Sequence, residues 1–144
     1  MIVQQILNSK GSTGVITVPP NSKISEVSKL LAEKHIGGLV VSSDGETADG
    51  IISERDIVRL VAQSGSECLD FEVGDVMTTN LKTCGPDETT DAILARMTEG
   101  RFRHMPIVDG GKMIGIVTIG DLVAARLAEL SMEKDALQGM IMGH

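Results

Sequence analysis

Ser53 and Asp56 stand three positions apart behind the apolar run Gly50-Ile51-Ile52, and Thr118 and Asp121 repeat that spacing behind Gly115-Ile116-Val117. Apolar periodicity resumes after each pair. The pattern sets a hydroxyl and a carboxylate together where a buried strand turns directly into a helix. Two chemistries use this arrangement. In one, the pair is a capping box that only satisfies the orphan amides of a helix start, with Asp a shorter and less usual partner than Glu or Gln. In the other, the helix start offers amide donors and a favourable dipole to an anion, and the carboxylate accepts from ribose hydroxyls. Spacing alone leaves both open.

A second group of residues bears on the choice. Gly37-Gly38 ends one apolar-periodic stretch and leaves room for a flat ring to approach the backbone, although a simple helix stop explains it equally. Its counterpart further along is Arg103-His104, within the run Gly100-Arg101-Phe102-Arg103-His104-Met105-Pro106. Two arginines and a histidine directly before a buried strand suit a phosphate clamp, since guanidinium donors are planar and multiply directed. The competing reading is a solvated surface cluster.

These residues belong to a duplication. Thr17, Pro20, Val27 and Val41 fall opposite Thr83, Pro86, Ile93 and Ile107 at a shift of 66, and an extra residue in the loop after Val41 brings the junctions to a shift of 65. The helical starts at Val3 and Val73 also correspond, followed in the first copy by an insertion at residues 10–14. Each copy is expected to run β-α-β-β-α, an α/β (α+β) unit. The first has a strand at 15–18, a helix stopped by Gly37-Gly38, strands at 39–41 and 50–52 around the turn Ser43-Asp44-Gly45, and a helix ending near 64–66. The second has a strand at 81–84, a helix at 90–99, strands at 105–108 and 113–117, and a helix from Ile119 to about Leu137. Divided by sequence, residues 1–66 and 72–131 are the two units, 67–71 the linker (within a connecting stretch at 63–71), and 132–144 a helical extension. Val123, Leu127, Leu130, Leu137 and Ile141 form a stripe along the last helix that suits either packing against its own domain or, the repeat's core being already complete, a subunit contact.

Composition narrows the function classes. The chain has 144 residues, 42% of them hydrophobic, with no Trp or Tyr and two Phe, so the core is aliphatic. A net charge of −7 argues against general nucleic-acid binding, which needs clustered cations. Cys68, in a polar stretch, and Cys84, in an apolar one, have neither zinc nor disulfide spacing, which fits a reducing compartment. No signal peptide or membrane-length apolar run is evident, and the cytoplasm is the expected location. His35, His104 and His144 lack metal-ligand spacing, and no nucleophile arrangement or phosphate-binding G-x-x-x-x-G-K-[ST] loop is present. Neither a catalytic nor a metal site is expected.

Paired β-α-β-β-α units with G-h-h-[ST]-x-x-D at the last strand–helix junction resemble tandem CBS domains, named for cystathionine β-synthase, whose pairs form Bateman modules with pseudo-twofold symmetry. The resemblance covers about residues 1–130 and extends to stand-alone bacterial pairs described as related to IMP dehydrogenase, without that enzyme's catalytic barrel. It implies two composite clefts that bind adenosyl ligands such as AMP, ADP or ATP, with NAD(H) also possible. In one, Asp121 and Thr118 would hold ribose and phosphate, the adenine resting against Ile16, Ile36, Gly37 and Gly38, with Ile116 on the base and Arg103 and His104 near the phosphate. The reciprocal cleft would use Asp56, Ser53 and Ile51 with Thr78, Lys82, Phe102 and Arg103. Its bulkier wall makes the Asp121 cleft the better adenine site. The resemblance further implies a homodimer and a non-catalytic nucleotide sensor of energy or redox state acting on an unidentified protein partner. The alternatives are a structural dimer without ligand and a nucleotide-processing enzyme.

Overall fold

The computed structural model describes residues 1–10 and 15–141; most of the predicted insertion, and His144, lie outside the described residues. The elements are α1 (Val3–Lys10), β1 (Thr17–Val18), α2 (Ile24–Lys34), β2 (Gly38–Val41), β3 (Gly50–Ser53), α3 (Glu54–Ser64), a 3-10 helix (Gly65–Asp70), α4 (Val73–Val76), α5 (Thr90–Gly100), β4 (His104–Asp109), β5 (Lys112–Thr118) and α6 (Ile119–Ile141). In one sheet β1 runs parallel to β2, which pairs antiparallel with β3; in the other β4 and β5 form an antiparallel hairpin. The first hairpin's loop is held by Asp44, which accepts from the Glu46 and Thr47 amides at 2.8 and 2.7 Å.

Two predicted strands shrink in the structure. The segment 15–18 pairs only through Thr17 and Val18. Its counterpart at 81–84 is no strand, for only Cys84 pairs, in a parallel bridge to Ile107 that duplicates the Val18–Val41 pairing. Proline follows closely in both copies, at Pro19-Pro20 and Pro86, and offers no N–H to extend a ladder. Nor is the connecting stretch an open linker. It carries the 3-10 helix, whose Cys68 is fully buried, and Phe71 packs against the first core.

The cores are aliphatic and cross the sequence repeat. Val18, Ile24, Val27, Leu31, Leu39, Val41 and Ile52 share theirs with Val73 of α4. Ile93, Met97, Met105, Ile107, Val117 and Leu122 share theirs with Val3 and Ile6 of α1. Thus each unit is completed by a helix from the other repeat. Main-chain bonds repeat the exchange. Val3 N–H donates to the Glu88 carbonyl at 2.9 Å and Gln4 N–H to that of Pro86 at 2.9 Å; Val73 N–H donates to Ser22 at 2.7 Å and Gly74 N–H to Pro20 at 2.8 Å. Bridges Ile2–Thr89 and Lys23–Glu72 flank them. This is the expected pseudo-twofold pairing, with the leading helices exchanged.

The last helix runs to Ile141, beyond the expected end near Leu137, and buries only Leu122 and Ala125. Its predicted stripe, Val123, Leu127, Leu130, Leu137 and Ile141, is exposed. Ile6→Ala in α1 is expected to lower the unfolding free energy by about 2–5 kcal/mol, the usual cost of emptying a buried aliphatic site. Because the helices are exchanged, the loss should appear in one cooperative transition in urea, followed by circular dichroism. Two resolved transitions, only one of them shifted, would show that the units fold separately.

Candidate functional site

Both junctions form their capping boxes. Ser53 N–H donates to Asp56 Oδ2 at 2.9 Å, and Asp56 N–H donates back to Ser53 Oγ at 3.3 Å. Thr118 N–H donates to Asp121 Oδ2 at 2.9 Å, and Asp121 N–H to Thr118 Oγ1 at 3.1 Å. The shorter Asp side chain closes the box because the preceding strand delivers its last residue in extended geometry, φ −120° and ψ 164° at Ser53. Capping and ligand binding are compatible here. The box uses Oδ2, and in each carboxylate Oδ1 stands outside it.

The first helical N–H after each junction is tied to the approach segment of its own repeat. Glu54 N–H donates to the Gly37 carbonyl at 2.9 Å, and Ile119 N–H to the Arg103 carbonyl at 3.0 Å. This pair of bonds fixes Gly37-Gly38 and Arg103-His104 beside the helix starts. The glycines do not stop α2, contrary to expectation. That helix ends at Lys34, with His35 in the left-handed conformation (φ 55°), and α5 ends the same way at Arg101 (φ 57°). Left-handed caps ordinarily favour glycine, so both positions spend conformational energy to end a helix two residues before the cleft wall.

Gly38 has a different reason. A Cβ there would meet the His104 imidazole at 3.0–3.2 Å. The flat ring for which Gly37-Gly38 leaves room is, in this structure, the side chain of their own repeat counterpart. His104 is therefore not a solvated cation: burial, the largest influence, and Arg103 hold its pKa below the ordinary 6.5 against the opposing pull of Glu54, Asp121 and Asp56. Arg101 and Arg103 remain exposed.

Two clefts lie between the units. The larger, about 820 Å³, is lined by Ile16, Ile36, Gly37, Gly38, Arg103, His104, Ile116, Thr118 and Asp121, all the residues predicted for it. The smaller, about 420 Å³, is lined by Ile51, Ser53, Asp56, Thr78, Lys82, Phe102 and Arg103, again all those predicted. Gly37, Glu54, Arg103 and His104 border both, so the clefts meet at the molecular centre. Sequence reasoning missed one wall of the larger cleft, where α1 presents Gln4, Leu7, Asn8 and Lys10. The i, i+3, i+4 spacing of Gln4, Leu7 and Asn8 was a visible sign that they share a face. Lys10 reaches further: its ammonium lies 2.9 Å from Asp121 Oδ2 and 3.0 Å from the Ile116 carbonyl. Among the described residues no cluster suits a metal ion, and no helix is long and apolar enough to cross a membrane.

A pair of such units, each ending in a hydroxyl–carboxylate junction that faces a shared cleft, defines a tandem ligand-binding module. The family model for the CBS domain matches residues 6–63 and 73–128, and the chain belongs to that family. The mitochondrial CBS domain-containing protein CBSX3 of Arabidopsis thaliana is 31% identical over 148 residues, covering 98% of this chain and 72% of the relative. The CBS-domain protein ATU1752 of Agrobacterium tumefaciens superposes with a TM-score of 0.83 at 40% identity, covering 88% of this chain and 99% of that one. CBSX2, solved in complex with AMP, gives 0.73 at 29% identity, with 88% and 96% covered. The CBS pair of MJ0100, solved with 5′-methylthioadenosine and S-adenosyl-L-methionine, gives 0.77 at 27%, with 90% and 98% covered.

The depressed His104 pKa has a sign. The unfolded chain takes up a proton more readily than the folded one, so this contribution is complete above about pH 6.5 and is lost as pH falls through the lowered folded value. Between about pH 7.5 and about pH 5.5, the wild-type protein should lose more urea stability than His104→Gln. Equal losses would mean that the imidazole is solvated and plays no packing role against Gly38.

Proposed function

We propose that this CBS pair is a non-catalytic regulatory module whose larger cleft binds an adenine nucleotide, AMP, ADP or ATP, with NAD(H) the extended alternative. The observation that carries this reading is the composite lining. Thr118, Asp121 and Ile116 come from the second repeat, Ile16, Ile36, Gly37 and Gly38 from the first, and they border one space. Adenine is a flat apolar ring that suits the isoleucines beside Gly37-Gly38 and the His104 ring seated on them; Asp121 Oδ1 is the acceptor for ribose hydroxyls; Arg103 is a donor for phosphate. His104, being held neutral, serves as a hydrogen-bonding or stacking group rather than a second phosphate cation. The AMP-bound and adenosyl-bound relatives support the ligand class.

A ligand that touches both repeats stabilises one arrangement of them, and the largest response is set by its differential affinity for the two arrangements. Such a device reports energy or redox state to a separate partner in the cytoplasm. The smaller cleft, with Ser53, Asp56, Ile51, Thr78, Lys82, Phe102 and Arg103, is the second, tighter site. The module is a homodimer in this reading. Its contact surface is supplied by α3, where Val58 is 68% exposed, and α6, where Leu127 is 63% exposed, because large aliphatic groups on two helices are otherwise left in water.

The completed capping boxes favour one competing reading, a scaffold whose carboxylates serve only their own helices. Thermal melting separates the two. Millimolar AMP should raise the melting temperature of the wild-type protein, whereas Asp121→Ala should show little further rise above its own ligand-free value. Asp121→Asn, which retains a capping acceptor at Oδ1, controls for simple loss of the cap. No shift with AMP, ATP or NADH in the wild-type protein would leave the scaffold reading.

A further inference from the structure

The two clefts are closed at the rim by different means. Around the smaller one, the chain that follows α4 is zipped to β3 by main chain: Ile51 N–H donates to the Thr78 carbonyl at 3.0 Å, and Thr78 N–H to the Ile51 carbonyl at 2.9 Å. Ile116 is the counterpart of Ile51. Its carbonyl, on the same outer edge of the hairpin, accepts from the Lys10 ammonium at 3.0 Å. A side chain therefore stands where the other repeat uses backbone. The same ammonium pairs with Asp121 Oδ2 at 2.9 Å, and the Lys10 side chain is 37% exposed.

We infer that Lys10 is the phosphate-reading residue of the larger cleft, parked on Asp121 while the cleft is empty and transferred to a ligand phosphate when one arrives. The inference rests on the adenine-nucleotide reading of that cleft. A phosphate placed near Asp121 meets a like charge, and neutral His104 offers no charge to offset it. Arg103 is exposed at the edge shared with the smaller cleft. Lys10 is different: it already neutralises the carboxylate, and its flexible stem lets one ammonium rotate from carboxylate to phosphate without entering a dry interior. The ribose takes Asp121 Oδ1, which the ammonium on Oδ2 leaves open. A nucleoside without phosphate reaches that oxygen but offers the ammonium nothing to move to. The cleft thereby prefers phosphorylated adenosines, and the preference resides in α1, outside the duplicated junction.

Isothermal titration of the full chain with AMP and with adenosine tests this. The unaltered protein should prefer AMP. Lys10→Met should weaken AMP roughly tenfold to a hundredfold, the scale of one lost charge-assisted bond. Adenosine should bind that variant about as well as before, because its ribose takes Asp121 Oδ1 and makes no use of the ammonium. Lys10→Arg should keep most of the AMP preference. An unchanged ratio of AMP to adenosine affinity in Lys10→Met would overturn the role of Lys10 while leaving the adenine-nucleotide site standing. Binding of neither compound to the unaltered protein would remove that site and this refinement with it. Should Lys10→Met melt abnormally, Lys10→Gln carries the same comparison, and an unchanged ratio there has the same consequence.

Discussion

The exchange of leading helices is the constraint on which the remaining structure depends. Val3 of α1 and Val73 of α4 are both fully buried, each among side chains of the other repeat. Withdrawing either helix would expose an aliphatic core that has no aromatic bulk in reserve, at roughly 25 cal/mol for every square ångström uncovered. The crossed bonds from Val3 and Gln4 to Glu88 and Pro86, and from Val73 and Gly74 to Ser22 and Pro20, then fix the two halves in one register. The clefts are consequences of that register. They open where strands of one repeat face the approach segment of the other, with α1 as an outer wall of the larger and the chain after α4 as that of the smaller.

Duplication would make the two clefts equal, and three local substitutions make them unequal. Where the first repeat has Gly37-Gly38, the second has Arg103-His104, and the histidine ring lies over the glycine edge. Where the first junction is closed by Thr78 main chain, the second is closed by the Lys10 ammonium. Phe102 and Lys82 crowd the smaller cleft, whereas the larger has Ile36 and Ile16 at the corresponding positions. A fixed backbone bridge and a movable side-chain contact differ in what they permit. The first holds a rim at one width; the second can be exchanged for a contact with something that enters.

Much of this was legible in the sequence, for identifiable reasons. The recurring junction revealed the repeat, and the shifts of 66 and, at the junctions, 65 set most cleft residues of one copy against positions of the other. Local hydroxyl–carboxylate spacing also offered the capping boxes, as one of two readings. What stayed hidden depends on three-dimensional partners. An apolar periodicity says that α1 has a buried face but not which core receives it. A two-residue strand such as β1 is too short to show alternation. His35 and Arg101 in left-handed caps contradict the residue preference that made Gly37-Gly38 look like the helix stop. Cys68 sits among polar neighbours in sequence, yet the 3-10 turn rotates it inward. Lys10 opens the insertion that has no counterpart in the second copy, so no register argument could reach it.

The charge balance at the centre follows from the same arrangement. The chain carries −7 overall, yet the clefts meet at Glu54, Arg103 and His104, with Asp56 and Asp121 on either side. Were His104 solvated, it would share the cationic load with Arg103. Burial against Gly38 removes it from that role, because the charged form is penalised before any ligand is considered. Arg103 borders both clefts, whereas Arg55, Arg59 and Arg101 line the smaller one alone. Lys10 relieves the imbalance on the larger side by pairing with Asp121, whereas Asp56 has only the longer contact to Arg59 at 3.5 Å. The electrostatic asymmetry thus traces to two features that the repeat does not duplicate, a ring seated on a glycine and a lysine at the end of an exchanged helix.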